Sequence, residues 1–380
     1  MKPKLLIVFP DVHLAYSPTT LNLYDALEPH FEITILSFYS PHHSKFPLGE
    51  RRVEYVAPLF YWTNAIICSL RYRLKLYFNL KASLERWLVQ LERWLTAMAL
   101  WQATRRRSCA VAIGVDFMGM WVVQRVFGRG HMLSLEILEN DLFRQRVDLR
   151  SIDSLIIQTQ ERYDYLFKGS EVKYFLVQNA PPLPLRGSAP PAGAPRDDLL
   201  YCGFATARFG IYRILDFLMQ YPEYRMSIQG AVEASVQKKL DGEYAVLLAT
   251  GRVTINRKYL NSQELIDFAS RFAIGFCCYD FSIPGMNTFN YQTAPSGKLF
   301  TYYAAGVPVI GSTIPGLASV RDFEAGVLIS EFTPQAIRQA IETIMPERER
   351  FSANGLRAAK HFDFKKTVAP FVDFLVERIS

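Results

Sequence analysis

The residues best suited to chemistry lie in the stretch PSGKLFTYYAAGVPVIGS, residues 295–312. Ser296 is a favourable helix N-cap, Gly297 has no side chain to keep a ligand off the backbone, and Lys298 adds a positive charge. Free N–H groups in the first turn of a helix, together with the helix dipole, favour a bound anion such as a phosphate. The stretch therefore predicts an anion site here, although an ordinary capped helix would show the same N-cap.

Other candidate side chains follow predicted strands in the first half of the chain. Asp11 and His13 follow the strand KLLIVF, Asp116 ends AVAIGVD, and Glu136 lies in MLSLEIL. Ligands of parallel α/β sheets bind beyond the carboxyl ends of the strands. Asp11 and His13 are therefore candidates for a catalytic base or an acceptor-binding pair. The alternative is that they are solvated loop residues.

Apolar runs rich in β-branched residues alternate with helical spacing through the whole chain, which predicts parallel sheets covered by helices on both faces. The fold class expected is α/β, with two doubly wound, Rossmann-like domains in tandem. Predicted strands of the first half lie at 4–9, 31–38, 53–58, 110–116, 132–138, 154–159 and 173–179. Those of the second half lie at 199–203, 224–230, 252–256, 273–280, 308–312 and 326–330.

A proline-rich segment separates the two halves, because NAPPLPLRGSAPPAGAPRDD offers neither helix nor central strand. The expected organisation is therefore a first domain of residues 1–180, a linker at 181–197, a second domain at 198–362 and a last helix at 363–380. The cleft between two such domains is the expected binding site.

Bulk composition narrows the function classes. The chain has 380 residues, half of them apolar, and a net charge of +7. Its five cysteines form no C-x-x-C pair and no metal-ligand spacing with the six histidines, so no metal is expected and a reducing compartment fits best. The short apolar run at the start is too short for a signal peptide. No nucleophile elbow, Walker or dinucleotide motif is present.

Residues 71–107 carry nine Arg or Lys and two Glu, and so hold a net charge equal to that of the whole chain. A general affinity for nucleic acid is therefore not expected. The same segment has the three- and four-residue apolar spacing of a long amphipathic helix. Basic and aromatic residues on such a helix suit an anionic membrane surface, and the alternative is a helix that buries its apolar face on the sheet.

The run KLFTYYAAGVPVIGSTIPGLASV closely resembles a motif of GT-B glycosyltransferases, especially the large retaining family 4, also called glycosyl transferases group 1. LLYCGFATARFG resembles the start of that family's donor domain, and HFDFKKTVAPFVDFLVERI resembles its last helix, which crosses back to the N-terminal domain. The resemblance implies that Ser296, Gly297, Lys298 and Leu299 receive the diphosphate of a nucleotide-sugar donor.

The chain departs from the family pattern at charged positions. Thr293 and Thr301 stand where the family has two glutamates, the second of which binds the donor ribose. Phe204 and Phe209 stand where the family has an Arg and a Lys for the phosphates. Arg208 is one residue from the expected lysine, and it is either the replacement cation or a solvated loop arginine.

The resemblance also implies contacts for the rest of the donor. Tyr259 and Leu260 border the expected nucleobase, with a packed aromatic as the alternative for Tyr259. The long loop FSIPGMNTFNYQTAP occupies the place of the donor-sugar contacts, and Gly285, Met286 and Asn287 are its candidates.

In the first domain the resemblance assigns the family's acidic position to Glu136. Leu138 lies nearest to the place where many relatives carry a histidine that touches the donor sugar. The catalytic candidates are therefore Glu136, His13 and Asp11.

Together these observations predict a glycosyltransferase of hexosyltransferase type that needs no cofactor beyond its UDP or GDP sugar donor. Retention of configuration is implied by the resemblance alone. The expected acceptor is a glycan or lipid-linked glycan of cell-surface polysaccharide synthesis, and the expected location is cytoplasmic, with possible attachment to the inner membrane face through residues 71–107. Three alternative functions of the same fold are not excluded by the sequence: a nucleotide-sugar epimerase, an inverting transferase and a non-catalytic scaffold.

Overall fold

A computed structural model describes residues 1–39, 48–56, 82–138, 141–183, 198–286 and 288–379, without the side chains of 82–86. The chain forms two compact units. The first comprises Met1–Val177 and Thr367–Ser380, and the second comprises Gln178–Lys366. Each unit is an α/β layer structure built on one parallel sheet, so the predicted fold class is confirmed.

The first unit contains a seven-stranded parallel sheet in the order β3-β2-β1-β4-β5-β6-β7. Its strands are β1 Lys4–Val8, β2 Glu32–Phe38, β3 Val53–Val56, β4 Val111–Val115, β5 Gly130–Leu133, β6 Ile152–Ile157 and β7 Tyr174–Leu176. Nearly all residues of β1 and β4 are buried, as expected for strands covered on both faces. The carboxyl ends of β1, β4 and β5 therefore lie side by side at one edge of the sheet.

The helices described in this unit connect the strands. They are α1 Pro18–Leu27, α2 Ala82–Thr104, α3 Asp116–Phe127 and α4 Gln160–Phe167. Helix α4 is capped by Thr159, whose hydroxyl accepts a hydrogen bond from the Arg162 amide. The predicted amphipathic helix is described as α2, and residues 57–81 lie outside the described part of the chain.

The second unit contains a six-stranded parallel sheet in the order β10-β9-β8-β11-β12-β13. Its strands are β8 Leu199–Cys202, β9 Met226–Gln229, β10 Val253–Asn256, β11 Ile274–Cys277, β12 Val309–Ser312 and β13 Gly326–Ile329. Alternate residues of β8 enter different cores: Leu199 and Tyr201 pack on one face, and Leu200 and Cys202 on the other.

Ten helices are described in this part of the chain, the last of which leads into the first unit. They are α5 Ile211–Gln220, α6 Ala234–Asp241, α7 Ala245–Ala249, α8 Ser262–Ala269, α9 Phe289–Thr293, α10 Gly297–Ala304, α11 Ser319–Asp322, α12 Pro334–Ile344, α13 Arg348–Phe362 and α14 Phe364–Glu377. A reciprocal capping box of Asn261 and Glu264 opens α8.

The C-terminal part of α14 packs within the first unit. The Phe371 ring meets the rings of His131 and Phe175 edge to face, with centroids 6.1 and 5.5 Å away. Arg378 reaches Asp153 at 3.5 Å. These contacts explain why residues 367–380 belong to the first compact unit.

Several predicted strands are longer than the observed ones, and the strand at 132–138 differs most. The sequence favoured a strand over 132–138, but β5 ends at Leu133. The Asp116 carboxylate accepts hydrogen bonds from the amides of Leu135 and Glu136, at 2.7 and 3.1 Å, so these amides do not join a strand ladder. The Asp116 side chain, and not a neighbouring strand, therefore accepts the backbone hydrogen bonds of the segment that carries Glu136.

Candidate functional site

Lys298 is the central residue of the candidate site in the second unit. It stands in the first turn of α10, and its ammonium group is buried 4.5 Å from the centroid of the Tyr201 ring and 4.9 Å from that of Phe209. Its Nζ has no hydrogen-bond partner among the described residues. A buried cation is normally paired with an anion. Aromatic faces supply only part of that stabilisation.

Three buried cysteines surround Lys298 without neutralising it. Burial raises the pKa of the Cys202 thiol to about 12, and it also raises the pKa values of Cys277 and Cys278. All three are therefore neutral thiols at pH 7. Burial in turn lowers the pKa of Lys298 below its usual value of 10.5. The site therefore has a desolvated positive charge and no negative partner from the described chain.

The backbone at the start of α10 offers two further donors. The amides of Gly297 and Lys298 have no acceptor in the described residues, whereas the Leu299 amide donates to the Ser296 carbonyl at 2.9 Å. The Leu299 side chain is fully buried. Ser296 is the N-cap residue by position, but its hydroxyl makes no capping hydrogen bond. The predicted set of four residues thus reduces to two free amides and one ammonium group.

Asn179 is a residue of this site that the sequence analysis missed. A Cβ atom added to Gly297 would lie 2.9 Å from the Asn179 side-chain nitrogen. The amide of Asn179 therefore covers the helix start where a side chain would otherwise stand. Its position at the edge of the proline-rich segment was the available signal, but nothing in the sequence connected it with α10.

The two threonines in the family's glutamate positions make local hydrogen bonds. Thr301 donates through its hydroxyl to the Gly297 carbonyl at 3.3 Å, and its side chain is partly exposed. Thr293 is buried and donates to the Phe289 carbonyl at 2.7 Å. Thr301 keeps an acceptor oxygen for a ligand. Thr293 offers no exposed acceptor oxygen, because its side chain is buried.

The loop after β8 carries the other charged candidate. Arg208 is exposed, and its side chain makes no ion pair with any described residue. Its carbonyl accepts the Asp280 amide at 2.9 Å, which fixes the loop. Phe209 forms part of the aromatic contact with Lys298, and Phe204 is half exposed. The phenylalanines thus do not replace the missing cations, whereas Arg208 is available to do so.

The remaining donor candidates lie in loops. Tyr259 follows β10 and is 44% exposed, and Leu260 beside it is partly buried. Gly285 adopts a φ of +82°, and Met286 is completely buried, so the Met286 side chain cannot touch a ligand. Asn287 lies outside the described residues.

In the first unit, Asp11 and His13 form a small exposed cluster after β1. The His13 amide donates to the Asp11 carboxylate at 2.9 Å, and the His13 ring nitrogen Nε2 lies 3.9 Å from the same oxygen. The Asp11 carbonyl accepts a hydrogen bond from the Ser37 hydroxyl at the end of β2. The loop is therefore held in place while both side chains stay open to solvent.

Glu136 belongs to the same edge of the sheet. Glu136 is exposed as a residue, yet partial burial of its carboxyl group raises the pKa of that group. The negative charge of Asp11 raises the pKa further. The positive charge of Arg162 opposes that increase. The structure thus brings the three catalytic candidates of the sequence analysis into one electrostatic cluster.

Arg162 is a second residue that the sequence analysis missed. It is 1% exposed, and its Nη1 donates to the Leu135 carbonyl and to Gln158, both at 2.7 Å. Leu135 precedes Glu136, so a buried guanidinium helps to fix the segment that carries the candidate carboxylate. An arginine in a helix pattern gives no sequence signal for such a role.

Asp116 also fixes the segment that carries Glu136, because its carboxylate accepts hydrogen bonds from the amides of Leu135 and Glu136. It opens α3 with a φ of +52°, a conformation that residues other than glycine adopt rarely. Burial and the charge of Glu136 raise the pKa of Asp116 to about 7. Asp116 therefore positions the Glu136 backbone, while its own carboxyl group gains a proton near neutral pH.

We expect Asp116→Asn to flatten the dependence of folding stability on pH. The folded-state pKa lies above the ordinary 3.8, so ionisation of this group destabilises the fold progressively between pH 4 and about 7. Asparagine keeps the acceptor oxygen and tolerates positive φ. Urea denaturation should therefore show a gain on the order of 2 kcal/mol at pH 8 and little change at pH 4. A uniform loss at both pH values would contradict this assignment.

Within the described ranges no group of three or more His, Cys, Asp or Glu side chains is placed to hold a metal ion. No helix of the described chain combines the length and the apolar character that crossing a membrane requires.

The two parallel sheets, one in each compact unit, define the class of fold. The chain has the GT-B fold of glycosyltransferase-like proteins. No protein-family model matches the chain. No curated protein is detectably similar to it in sequence.

Individual solved structures share this fold over nearly the whole chain. A sucrose-phosphate synthase from Thermosynechococcus elongatus aligns over 100% of this chain and 99% of its own, with a TM-score of 0.65 and 13% identity. HepE from Anabaena, solved in complex with UDP, aligns over 100% of both chains with a TM-score of 0.64 and 13% identity. A UDP-N-acetylglucosamine 2-epimerase aligns over 93% and 91%, with a TM-score of 0.54 and 10% identity.

Proposed function

We propose that this protein is a glycosyltransferase that moves a sugar from a nucleotide-diphosphate donor to an acceptor hydroxyl. The observation that carries the proposal is the buried Lys298 ammonium, which has no partner in the described residues and stands beside two free amides at the start of α10. A diphosphate supplies the missing negative charge. The GT-B fold supports the same reading.

The second unit would act on the leaving group. Transfer breaks the bond between the anomeric carbon and the diphosphate oxygen, and negative charge accumulates on that oxygen. Lys298 and the amides of Gly297 and Lys298 are fixed donors for this charge, and Arg208 adds an exposed cation. Donors fixed in a desolvated site stabilise such charge strongly. The new bond joins the anomeric carbon to the acceptor oxygen, whose proton is released.

The nucleoside would bind beside the diphosphate. Tyr259, 44% exposed after β10, offers an aromatic face for the base, Leu260 stands next to it, and the Thr301 hydroxyl is a candidate for the ribose. A neutral hydroxyl binds a ribose more weakly than a carboxylate does. UDP sugars are the first donors to test, because HepE was solved with UDP, and GDP sugars are the second.

The first unit would bind the acceptor. Glu136, Asp11 and His13 form a solvent-accessible polar cluster at the carboxyl edge of its sheet, suited to sugar hydroxyls. We take the acceptor to be a glycan or a lipid-linked glycan of cell-surface polysaccharide synthesis. Transfer of a hexose with retention of configuration is the finer form of the proposal, and it rests on the sequence motif around Lys298.

We further propose that the enzyme works on the inner face of a membrane, attached through α2. This helix exposes a row of large apolar side chains at helical spacing, namely Trp87, Leu91, Leu95 and Met98. The segment 71–107 around it carries a net charge of +7, which is complementary to anionic lipid. An apolar row inside a basic segment suits the membrane interface.

We expect Trp87→Ser with Leu91→Ser to reduce binding to vesicles of equal parts phosphatidylcholine and phosphatidylglycerol. Loss of two large apolar contacts should lower the partition coefficient about tenfold or more in sedimentation. Met219→Ser with Val246→Ser removes two exposed apolar side chains of the second unit and is the matched control. Equal sedimentation of the two double variants would exclude α2 as the attachment site.

Thermal denaturation with UDP-, GDP- and ADP-sugars tests the transferase proposal. One donor should raise the melting temperature by several degrees, because a ligand at a hundred times its Kd adds about 2.7 kcal/mol. Lys298→Met should abolish this shift, and Lys360→Met, which removes an exposed lysine of the same unit, should not. Absence of a shift with every donor would favour a non-catalytic scaffold. Sugar isomerisation without transfer would favour an epimerase.

A further inference from the structure

A cavity of about 220 Å³ lies at the amino ends of β1 and β2 in the first unit. Asp11 and Glu136 follow the carboxyl ends of strands in the same sheet, so the cavity belongs to the opposite edge from the proposed acceptor site. Its charged lining residues are Lys4, Glu32, Arg52, Arg106 and Arg107.

Two of the four cations are neutralised by neighbouring carboxylates. Arg52 contacts Glu32 at 3.0 Å and Glu54 at 3.3 Å, and Arg107 forms an ion pair with the other oxygen of Glu54. Two arginines and two glutamates thus form a network with no net charge. This network fixes the guanidinium groups at the cavity wall, which reduces the entropy lost when a ligand binds.

Lys4 and Arg106 are the excess cations of the cavity. Both residues are exposed, and neither side chain has an ion-pair or hydrogen-bond partner within the described ranges. With the neutral network, which includes Glu54 beside the lining, they leave the site with a charge of +2. A phosphate monoester carries about −1.5 to −2 at pH 7, which matches this excess.

The remaining lining suits a small anion rather than an apolar ligand. Ser108 contributes a hydroxyl donor, and Arg106 offers a planar fork of N–H groups to two phosphate oxygens. The volume corresponds to about seven water molecules at the density of liquid water. It accommodates a phosphate group with a small attached moiety.

The chain brings these residues together from distant positions. Lys4 comes from the first strand, Arg52 immediately precedes β3, and Arg106 and Arg107 follow the end of α2. The sequence analysis grouped the arginines at 105–107 with the other basic residues of 71–107. The structure instead places Arg106 and Arg107 beside Lys4 in the lining of one concave site.

We propose that this cavity is a second anion site, which binds the phosphate group of a phosphorylated metabolite or of a lipid headgroup at the amino edge of the first sheet. It is separate from the nucleotide-sugar site at Lys298 and does not depend on transferase activity. Occupation of the site would signal the presence of a phosphorylated compound to the first unit or hold that unit at a phospholipid surface.

Cys109 provides a local measurement, because it is one of the residues that line the cavity. Burial raises the pKa of this thiol to about 11, so alkylation by iodoacetamide is slow and can be followed over time by mass spectrometry of the Cys109 peptide. Inorganic phosphate at constant ionic strength should slow the labelling of Cys109 several-fold in the full chain. The concentration for half protection gives the affinity.

Lys4→Gln with Arg106→Gln should weaken this protection by phosphate about tenfold, because both excess charges are lost. The matched control is Arg150→Gln with Lys168→Gln, which removes two exposed cations of the same unit outside the cavity. Unchanged protection in the cavity variant, or an equal loss in the control, would overturn the proposal. So would labelling of Cys109 that neither inorganic phosphate nor phosphatidic acid vesicles slow.

Vesicles distinguish the two sources of the phosphate group. If phosphatidic acid vesicles, whose headgroup is a phosphate monoester, protect Cys109 and phosphatidylcholine vesicles do so less, and the cavity variant abolishes the difference, the ligand is a lipid headgroup. If inorganic phosphate protects Cys109 and neither vesicle does, the ligand is a soluble phosphate compound. Both results support the site. Protection by vesicles that persists in the cavity variant would show general surface coverage and count against it.

Discussion

We expect Lys298→Met to lower kcat for the proposed sugar transfer by about 100- to 1,000-fold, which is the range seen when one preorganised donor to a developing negative charge is removed. The ammonium group is buried between Tyr201 and Phe209 and has no partner among the described residues, so its charge is available to the departing diphosphate. Methionine keeps most of the side-chain volume and removes the charge. The measurement is release of nucleoside diphosphate at saturating donor and acceptor.

The pH dependence separates a charge effect from a packing effect. Burial lowers the pKa of Lys298 below 10.5, so donor affinity should fall with rising pH earlier than an ordinary lysine predicts. Lys298→Met should lose this alkaline limb, and Lys360→Met should keep it. A Lys298→Met enzyme with normal kcat would remove the lysine from the mechanism.

Glu136→Gln is expected to reduce kcat/KM by about 100-fold or more, as removal of a group that handles a proton or binds the reacting hydroxyl does. Burial and the charge of Asp11 raise the pKa of Glu136 above 4.5, so the active ionised form disappears at a higher pH than for an ordinary glutamate. The acid limb of the wild-type pH profile should therefore be displaced upward. It should be absent in the glutamine variant.

Two variants check this assignment. Glu171→Gln changes an exposed glutamate of the same unit and should leave the pH profile unchanged. Asp11→Asn removes the negative charge that raises the pKa of Glu136, and it should move the acid limb to lower pH. An acid limb that is the same in wild type, Asp11→Asn and Glu136→Gln would show that another group titrates.

The fold class could be predicted from the sequence because the alternation of apolar strands with helical segments is repeated along the chain. Most buried strands are continuous apolar runs, as in LLIV of β1 or VAIGV of β4, and several are followed by a segment of helical spacing. The confirmed fold class rests on many such units. The strand predicted at 132–138 failed because two hydrogen bonds from Asp116 determine where β5 ends, and such tertiary contacts leave no local pattern.

The site was only partly predictable for a similar reason. Lys298 could be found, because a helix start and its charge are adjacent in the sequence. Asn179 and Arg162 were missed, since each acts on a segment far along the chain. The sequence also gave no sign that the Leu299 amide is already used by Ser296 or that Met286 points into the core.

The unpaired ammonium of Lys298 implies a trade-off between the stability of the empty protein and the function proposed for it. A desolvated charge without a counter-ion disfavours the folded state, and a neutral side chain of similar size often relieves that penalty. The Lys298→Met protein should therefore melt at a higher temperature than the native protein when no donor is present. On the proposed function, the lower thermal stability of the empty protein is the consequence of keeping a cation in position for the diphosphate.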